Sequence, residues 1–563
     1  MLTAVETIRR TAPVKKRRRD MTNSSIENSA NWWRGATLYQ VYPRSFQDTN
    51  ADGIGDLPGI TKRLPEIKAL GVDGIWISPF FKSPMKDFGY DVSDYTAVDP
   101  MFGTLDDFDQ LVKTAHDLGL KIVIDQVLSH TADVHAWFKE SRSSRDNAKA
   151  DWYVWAEAKD DGTPPNNWLS VFGGSSWEWD SRRLQYYLHN FLTSQPDLNF
   201  HNVEVQDAIL ASSRFWLERG VDGVRLDTIP YYFHDKLLRD NPPAVVEGVS
   251  TVPSVNPYGR QKHNYDKTQP ENLEFLKRYR LLLNEFNAFA VGEVGDEERS
   301  LQTMADYTSG NDKIQMCYSF ELLGDQFSPQ HIRNNVEGFF SVAKDGWPCW
   351  AFSNHDVERH ASRWSGTNDP QETAKFCIAL LASLRGSLCL YQGEELGLTE
   401  AALTFEQLQD PYGIRFWPDF KGRDGCRTPY PWDRKEPNAG FTEGQPWLPV
   451  SEEHLAHSYV QVAHEAGSVL AHYRAILKAR SASETLLRGE ITFLESTDEL
   501  LMFERHDAAT RIHCVFNFGS KPVTQPVADD FAEAKFIESF TRGVALKDGA
   551  LELDGLAFAL LKL

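Results

Sequence analysis

Four short segments in the middle of the chain each carry an acid or a histidine at the end of an apolar, strand-like run. They are Ile122–His130, Val221–Asp227, Phe289–Val294 and Ala351–Asp356. In a barrel of alternating parallel strands and helices, the carboxyl ends of all strands open on one face, so residues far apart in sequence converge there. The four segments therefore predict a (β/α)8 barrel whose mouth brings together three carboxylates, those of Asp227, Glu293 and Asp356.

The preceding part of the chain alternates between strand-like and helical patterns. Leu38–Tyr42 precedes a helical pattern over Leu57–Leu70, and Gly74–Ser78 precedes one over Leu105–Leu118, before the strand-like Ile122–Ile124. This alternation is typical of βαβ units around a parallel sheet. The sequence therefore predicts the α/β class and, within it, a TIM barrel.

Changes of pattern along the chain predict the domain boundaries. The barrel is expected over 31–130 and 195–482, and a Trp-, Asn- and Pro-rich stretch at 131–194 reads as a subdomain inserted after the third strand, where it can wall one side of a pocket. Short apolar runs broken by polar clusters predict a C-terminal antiparallel β-sandwich domain at 483–563.

The first 30 residues have a different composition from the rest. They are polar, lack periodicity and contain the basic run Lys15–Arg19, which predicts a disordered basic extension. Nuclear localisation or binding to an anionic surface is the functional alternative to an inert tail.

Composition excludes several function classes. A net charge of −21 argues against nucleic-acid binding, which requires a basic surface. No run approaches the roughly 18 apolar residues of a membrane helix, and no apolar segment follows the N-terminal charges, so neither a membrane span nor a secretory signal is expected. The six scattered cysteines fit a reducing compartment, and we expect a cytoplasmic protein. The 16 tryptophans favour a carbohydrate ligand, although core packing accounts for most aromatic rings.

The segment that contains Arg225 and Asp227 has the pattern expected around a nucleophile. Period-two alternation along a strand points both side chains to the same side. A guanidinium beside a carboxylate favours its ionised form. The alternative is a structural salt bridge at the barrel mouth.

These motifs resemble the signature regions of the α-amylase family of glycoside hydrolases, glycoside hydrolase family 13. The order Asp125-x-x-x-x-His130, Arg225-x-Asp227, Glu293, His355-Asp356 is kept. Three further segments resemble the α-glucosidase and oligo-1,6-glucosidase branch, namely Trp33–Phe46, Gln195–Phe200 and Gly422–Pro429. The resemblance extends from about Asn31 to the C-terminus.

The resemblance implies a role for each group at the mouth. Asp227 is the nucleophile, and Glu293 is the acid/base, whose pKa must be raised by burial and neighbouring anions. Asp356 holds sugar hydroxyls in the distorted transition state, and His130 and His355 hydrogen-bond the same ring. As isolated histidines, the last two would more often be satisfied core residues.

The resemblance also implies which residues close the sugar pocket. Asp87 is expected on the outer hydroxyls of the terminal sugar, and Tyr90 is expected to stack under its ring. Arg423 is the candidate partner of Asp87, with Arg427 as the alternative. For each of these residues, ordinary packing is the competing interpretation.

Four more residues are expected to shape the pocket. Phe172 and Phe191, in the inserted subdomain, match positions where the family lines the pocket with aromatic rings. Gly295 leaves room for a leaving group beside Glu293, unless it only serves a turn. Thr228 follows the nucleophile, where enzymes that prefer α-1,6 bonds usually have Val, and so favours α-1,4 bonds.

The loop from Asp48 to Asp56 begins like a calcium-binding loop. Oxygen-bearing side chains alternate along it and Gly53 allows a sharp turn, but Gly59 stands where an EF-hand requires Glu. The resemblance implies one structural Ca²⁺ or Mg²⁺ away from the catalytic centre, and a hydrated acidic turn without metal is the alternative. The expected ligands are Asp48, Asn50, Asp52, Ile54 and Asp56.

The combined expectation is an exo-acting retaining α-glucosidase that prefers α-1,4 bonds in maltose, short oligosaccharides and small α-glucosides. No organic cofactor, nucleic-acid partner or membrane is expected, and the protein is a monomer or homodimer. The rivals are an oligo-1,6-glucosidase, or a transglucosylase that rearranges sucrose or trehalose. A non-catalytic transporter-associated homologue would have a transmembrane helix and degraded acids, and neither is present in the sequence.

Overall fold

The computed structural model of the chain describes residues 31–244, 252–296, 298–527 and 534–563. The basic extension predicted for residues 1–30 lies outside the described residues. Within the described residues, no helix is long and apolar enough to cross a membrane.

Eight parallel strands, all within the described residues, form the central barrel, which confirms the predicted α/β TIM barrel. Around the sheet they follow the order β6-β5-β4-β3-β2-β1-β8-β7, and a parallel bridge between Cys317 and Pro348 joins the two ends. The strands are β1 (Thr37–Val41), β2 (Gly74–Ile77), β3 (Lys121–Gln126), β4 (Gly223–Leu226), β5 (Phe289–Val294), β6 (Met316–Ser319), β7 (Cys349–Trp350) and β8 (Ser387–Tyr391).

A long helix follows each barrel strand and packs against the outside of the sheet. Both faces of the strands are therefore covered, and for this reason β3 reads as an unbroken apolar run in which Ile122, Val123 and Ile124 are all fully buried. The helices are α1 (Leu57–Leu70), α2 (Leu105–Asp117), α3 (Val203–Glu218), α4 (Asn272–Phe286), α5 (Ser300–Thr308), α6 (Pro329–Val342), α7 (Pro370–Ser383) and α8 (Val469–Ser481). Shorter helices span Ala136–Ser141, His360–Arg363, Pro411–Phe416, Tyr459–Val462 and Glu484–Arg488.

Local capping chemistry sets the ends of the first two helices. The Asp56 side chain accepts a hydrogen bond from the Gly59 backbone N–H at the start of α1, and α1 ends at Gly71, whose φ of 98° suits glycine. At the start of α2, Thr104 and Asp107 form a reciprocal capping box. The sequence pattern predicted α1 over Leu57–Leu70, which are its first and last residues in the structure.

The inserted subdomain lies between β3 and α3, as predicted. Its strands Trp155–Ala156, Trp177–Asp180 and Gln185–Leu188 form a small antiparallel sheet, although its sequence has no clear strand period. The sheet has a small core of its own, which includes Trp168 and Trp177. A two-stranded sheet, Phe81–Lys82 with Asp94–Val98, lies before α2.

The C-terminal strands form the predicted antiparallel β domain, and the sandwich arrangement expected for residues 483–563 stays a prediction. The long strand β14 pairs with β11 along its second half, with β12 along its first half and with β13 on its other side. These pairings join all six strands of the described region into one hydrogen-bonded sheet. The strands are β9 (Glu490–Phe493), β10 (Leu500–His506), β11 (Arg511–Asn517), β12 (Val523–Pro526), β13 (Lys535–Lys547) and β14 (Ala550–Lys562).

Arg505 on β10 joins this sheet to the barrel. Its guanidinium is fully buried. It donates to the carbonyls of Ser383 and Leu384, at the end of α7, at 2.7 and 3.0 Å. It also donates to those of Thr485 and Gly489, each at 2.9 Å. Carbonyls on both sides of the domain boundary therefore share one donor side chain.

We expect Arg505→Met to lower the melting temperature substantially. The substitution leaves buried carbonyls without a donor, and each such group costs about 1–3 kcal/mol. The matched control is Arg511→Met, which removes an ion pair with Glu504 from a side chain that is 44% exposed, worth about 0–1 kcal/mol. Thermal unfolding of both variants checks this, and equal losses would contradict the proposed role of Arg505.

Candidate active site

The three predicted carboxylates line one pocket at the carboxyl ends of the barrel strands. Asp227 directly follows β4, Glu293 lies near the end of β5 and Asp356 lies in the loop after β7. Of the predicted substrate-binding residues, those that line the same pocket are Asp87, Tyr90, His130, Phe172, Phe191, Thr228, Gly295 and Arg423. The other two, Arg225 and His355, are fully buried next to it.

One buried guanidinium connects the carboxylates. Arg225 Nη1 contacts Asp125 Oδ1 at 2.9 Å and also Asp227 Oδ1, and Nη2 contacts Glu293 Oε1. Strand register produces this arrangement, because Asp125 and Arg225 are direct partners on β3 and β4. Asp227, two residues beyond Arg225, lies on the same side, as the alternation predicted.

Three buried carboxylates share a single positive charge, so they are not all ionised together. Burial raises the pKa of Asp227, and Asp125 adds to this, while Arg225 acts in the opposite direction. The sequence predicted that Arg225 would favour ionised Asp227; burial outweighs that effect. Burial likewise raises the pKa of Glu293, with further contributions from Asp227 and Asp356. The Asp227–Glu293 pair therefore retains a proton to higher pH than ordinary carboxyl groups do.

Thr228 and Tyr318 orient the two carboxylates. The Thr228 backbone N–H donates to Glu293 Oε2 at 3.1 Å, and its hydroxyl lies 3.2 Å from Asp227 Oδ2. Thr228 has φ 41°, in the left-handed region that β-branched residues rarely adopt. The Tyr318 hydroxyl donates to Glu293 Oε1 at 2.9 Å and accepts from Arg225 Nη2 at 2.8 Å.

Asp356 is in a different electrostatic environment. Its Oδ1 lies 3.2 Å from Arg423 Nη1 and 2.9 Å from Arg427 Nη2. Burial acts to raise the pKa of Asp356, but the contact with His355 and the guanidinium groups of Arg423 and Arg427 outweigh burial and lower the pKa. Asp356 therefore stays anionic under conditions in which the Asp227–Glu293 pair holds a proton.

The two histidines are neutral and buried. Burial lowers the pKa of His130 to about 4, and its Nε2 lies 2.8 Å from the Tyr90 carbonyl oxygen. Burial also lowers the pKa of His355. The His355 ring stacks on Tyr90 at 5.2 Å, and its Nε2 lies 3.1 Å from Asp356 Oδ2. Both were expected to contact the sugar, but only His130 lines the pocket in the described chain.

A charged network closes one end of the pocket. Arg423 Nη2 lies 2.9 Å from Asp87 Oδ1 and 2.8 Å from Asp410 Oδ1. The Gln195 side chain donates to Asp87 Oδ2 at 3.0 Å. Of the two arginines considered from the sequence, Arg423 contacts Asp87, whereas Arg427 contacts Asp356.

Aromatic rings form the wall above this closed end. The Phe172 ring lies 5.0 Å from Tyr412 and 6.0 Å from Phe191, and the Arg423 guanidinium lies 5.2 Å from its centre. Phe191 in turn lies 5.3 Å from Tyr231. The inserted subdomain, which supplies Phe172 and Phe191, therefore walls the pocket.

Gly295 also lines the pocket. A Cβ atom at this position would have its nearest neighbour, the Phe320 ring, only at 4.0 Å. The Gly295 carbonyl accepts a hydrogen bond from Lys267 Nζ at 2.8 Å. Space therefore exists next to Gly295, and the leaving-group role expected for this glycine stays a prediction.

Sequence reasoning did not identify several residues of this site. Tyr318 is the register partner of Glu293 on β6, and an aromatic residue with a polar tip at a strand end was the available signal. Gln195 belongs to a segment that carried the family resemblance, but without an assigned role. No local signal marked Lys267, which lines the pocket, or Asp410, which contacts Arg423.

The predicted metal loop consists of consecutive turns closed by side-chain oxygens. Asn50 Oδ1 accepts from the Asp52 N–H and Asp52 Oδ1 from the Ile54 N–H, each at 2.9 Å. Asp48 accepts from three N–H groups of the loop, and Asp56 also caps α1. The donor atoms are of the type that Ca²⁺ and Mg²⁺ prefer. Across residues 31–244, 252–296, 298–527 and 534–563, however, no three His, Cys, Asp or Glu side chains are grouped to hold a metal ion, so the divalent cation stays a prediction.

The fold and this site define a barrel enzyme with a carboxylate centre, and comparisons with known proteins identify the family. A sequence model of the α-amylase catalytic domain matches residues 40–489. The chain is 60% identical over 511 residues to a probable α-glucosidase from Rhizobium meliloti (strain 1021), covering 90% of this chain and 93% of the relative. It is 37% identical over 540 residues to an oligo-1,6-glucosidase from Heyndrickxia coagulans, covering 89% and 94%.

A solved structure agrees with this relationship. The α-glucosyl transfer enzyme XgtA superimposes with a TM-score of 0.92 at 53% identity, covering 94% of this chain and 99% of that chain. The chain belongs to the α-amylase family of glycoside hydrolases. The predicted family, and the prediction that the protein is an enzyme of its α-glucosidase group, are confirmed.

If the Asp48–Asp56 loop holds a divalent ion, a chelator should lower the melting temperature of the wild type but not that of Asp52→Ala. Saturating ligand stabilises by about 2.7 kcal/mol at a hundredfold excess over Kd. Asp161→Ala is the matched control, because Asp161 forms a similar exposed turn with Thr163 outside the loop, and it should keep the chelator response. An unchanged wild-type melting curve after exhaustive chelation would count against the ion.

Proposed function

We propose that the protein is an exo-acting retaining α-glucosidase, which releases terminal non-reducing glucose from maltose, short oligosaccharides and small α-glucosides. The observation that carries this proposal is the contact of Asp227 and Glu293 with the two terminal nitrogens of one guanidinium. The names of the similar enzymes support the substrate class.

The shared guanidinium favours retention of configuration. Retaining glycosidases hold their two carboxyl groups about 5–5.5 Å apart, whereas inverting enzymes need about 6.5–9.5 Å to admit a water molecule between carboxylate and sugar. Asp227 and Glu293 contact the same planar group, and Thr228 lies within hydrogen-bond distance of both. This spacing suits direct attack by a carboxylate.

Each half of the reaction uses both groups. In the first, Glu293 gives its proton to the glycosidic oxygen, while Asp227 attacks the anomeric carbon and forms a glucosyl ester. In the second, Glu293 takes a proton from water, whose oxygen displaces Asp227 from the sugar. The raised pKa of Glu293 suits the acid step. The anionic Asp356 can hold sugar hydroxyls and stabilise positive charge at the ring.

The closed end of the pocket supports exo action. The buried contacts of Asp87 with Arg423 and Gln195, and of Arg423 with Asp410, block the path of a longer chain beyond the terminal sugar. The charged groups there also offer partners for the hydroxyls of a non-reducing end. Terminal glucose therefore fits this end, and the rest of the substrate extends past Gly295.

Transfer of the glucosyl unit to a sugar or alcohol is the second candidate. Aromatic residues Tyr231, Tyr258 and Phe320 also line the pocket, and an acceptor held there can replace water in the second half-reaction. The likeness to an α-glucosyl transfer enzyme at 53% identity favours this candidate. Rearrangement of sucrose or trehalose would use the same acids.

We expect Asp227→Asn to lower kcat/KM by about 10³-fold or more while the protein stays folded, because the covalent route is lost. Circular dichroism and thermal unfolding check the fold, and assays with maltose and an aryl α-glucoside check the activity. Near-normal turnover in the folded variant would remove Asp227 as the nucleophile.

Glu293→Gln should lose about 10²–10⁴-fold on maltose and much less on aryl α-glucosides, whose leaving groups need no proton. The raised pKa of Glu293 means that the wild type keeps its acid form to higher pH and loses activity as pH rises through that pKa. The variant should lack this alkaline limb. Glu321→Gln, whose carboxyl bonds to Ser300 in a neighbouring loop, is the matched control and should keep the limb. Equal losses on both substrates would contradict the acid role.

We also propose a preference for α-1,4 over α-1,6 bonds, because Thr228 lines the pocket next to both carboxylates. One such contact can give a roughly 10- to 200-fold preference. The test is kcat/KM for maltose and isomaltose, with sucrose and trehalose for the rearrangement rivals, in wild type and Thr228→Val. A wild-type preference for isomaltose would contradict this proposal. An unchanged ratio of kcat/KM for maltose and isomaltose in Thr228→Val would show that Thr228 does not set the preference.

A further inference from the structure

Four polar side chains form a row of hydrogen-bonded groups that begins at the nucleophile, Asp227, and ends at His130. Thr228 Oγ1 lies 3.2 Å from Asp227 Oδ2 and 3.0 Å from Ser129 Oγ, and Ser129 Oγ lies 2.9 Å from His130 Nδ1. Thr228 and Ser129 each carry one hydroxyl proton and can each accept as well. The direction of each hydrogen bond therefore depends on which end of the row is fixed.

The His130 end is fixed by the orientation of Gln195. The Leu192 N–H donates to Gln195 Oε1 at 2.8 Å, so the amide nitrogen of Gln195 points the other way, towards Asp87 Oδ2 and the Tyr90 carbonyl at 3.0 and 3.1 Å. The same carbonyl, which can only accept, lies 2.8 Å from His130 Nε2. Gln195 Nε2 also lies 3.3 Å from His130 Nε2, but its two protons go to Asp87 and to the Tyr90 carbonyl. His130 Nε2 therefore carries a proton, and because the ring is neutral, Nδ1 is an acceptor.

Once the His130 tautomer is assigned, only the direction of the Thr228 hydrogen bond is left open. Ser129 must use its only proton to donate to His130 Nδ1, so it cannot donate to Thr228. The Thr228 hydroxyl then has two acceptors within reach, Asp227 Oδ2 and Ser129 Oγ, and one proton to give. Rotation about a single bond moves that proton from one acceptor to the other.

We propose that the Thr228 hydroxyl is a positioning switch for the nucleophile, which donates to Asp227 while that group is anionic and to Ser129 once it is neutral. The neutral forms are the protonated acid and the glucosyl ester, so this inference rests on the proposed function for its second form. No covalent bond changes at Thr228 or Ser129. The switch stabilises the anion more than the neutral form, so it disfavours protonation of Asp227 and assists its departure from the ester.

The surrounding charges do not change when this hydroxyl is removed. The side chains that act on Asp227 belong to β3, β4, β5 and the loops after β2, β4 and β7, and Thr228 itself is uncharged. A shift in the titration of Asp227 on removal of the hydroxyl therefore reports the hydrogen bond and not a charge. The titratable and charged groups that act on Asp227 are Tyr90, Asp125, Arg225, Tyr232, Glu293 and Asp356.

The pH dependence of kcat/KM for an aryl α-glucoside tests the switch, because its acidic limb follows protonation of the nucleophile. Thr228→Val should move this limb up by about one pH unit, since a hydrogen bond to an anion is lost. Thr228→Ser should leave it in place. Ser129→Ala should move it down by about half a pH unit, because the neutral form loses its alternative partner. In the double variant, Thr228→Val with Ser129→Ala, the limb should lie where Thr228→Val alone puts it.

A switch shifts the acidic limb in opposite directions in Thr228→Val and Ser129→Ala, whereas general loosening of the site does not. Shifts of the same sign in Thr228→Val and Ser129→Ala, or no shift in Thr228→Val, would overturn the switch while leaving hydrolysis, and with it the proposed function, intact. The pH dependence of Asp227 alkylation by a cyclitol epoxide, followed by peptide mass spectrometry, reports the same carboxylate without turnover. If the wild type hydrolyses no α-glucoside, the proposed function fails, and the alkylation profiles still decide the switch.

Discussion

The site depends on one buried guanidinium that serves more carboxylates than it can neutralise. Arg225 contacts Asp125, Asp227 and Glu293, and all four side chains are buried. Burial penalises each negative charge, and one positive charge offsets only part of that penalty. The lowest-energy arrangement therefore keeps a proton in the cluster, and this supplies an acid beside a nucleophile. Asp356 has two guanidinium groups next to it, those of Arg423 and Arg427, and stays anionic for this reason.

The same two arginines connect the chemistry to the shape of the pocket. Arg423 contacts Asp356 on one side, and Asp87 and Asp410 on the other, so a single side chain fixes both the third carboxylate and the closed end. The aromatic wall from the inserted subdomain covers this network and keeps water away from it. Ion pairs are stronger where water is excluded, because the surrounding protein is less polarizable than water. Pocket length and the charge state of Asp356 are thus set by one structural unit.

Sequence patterns correctly predicted the local features that depend on residues within about a dozen positions of each other. Helix α1 was predicted with both its ends, and the alternation in β4 placed Arg225 and Asp227 on one side. The pairings of β14 with β11, β12 and β13 were not predicted, because they are contacts that no local pattern encodes. Tyr318 was missed for the same reason, since its role follows from its register with Glu293 on the adjacent strand.

The sequence by itself determined the barrel, the order of the catalytic motifs and the family, because strand and helix periods and motif spacing are local properties of the chain. Only the tertiary structure decided which charges share a guanidinium, that Arg423 and not Arg427 contacts Asp87, and that Asp227 and Glu293 titrate as a buried pair. Those outcomes depend on burial and on register between strands about a hundred residues apart, as for Asp125 and Arg225. Electrostatic energies are set by such distances and by exclusion of water, and neither can be read from residue order.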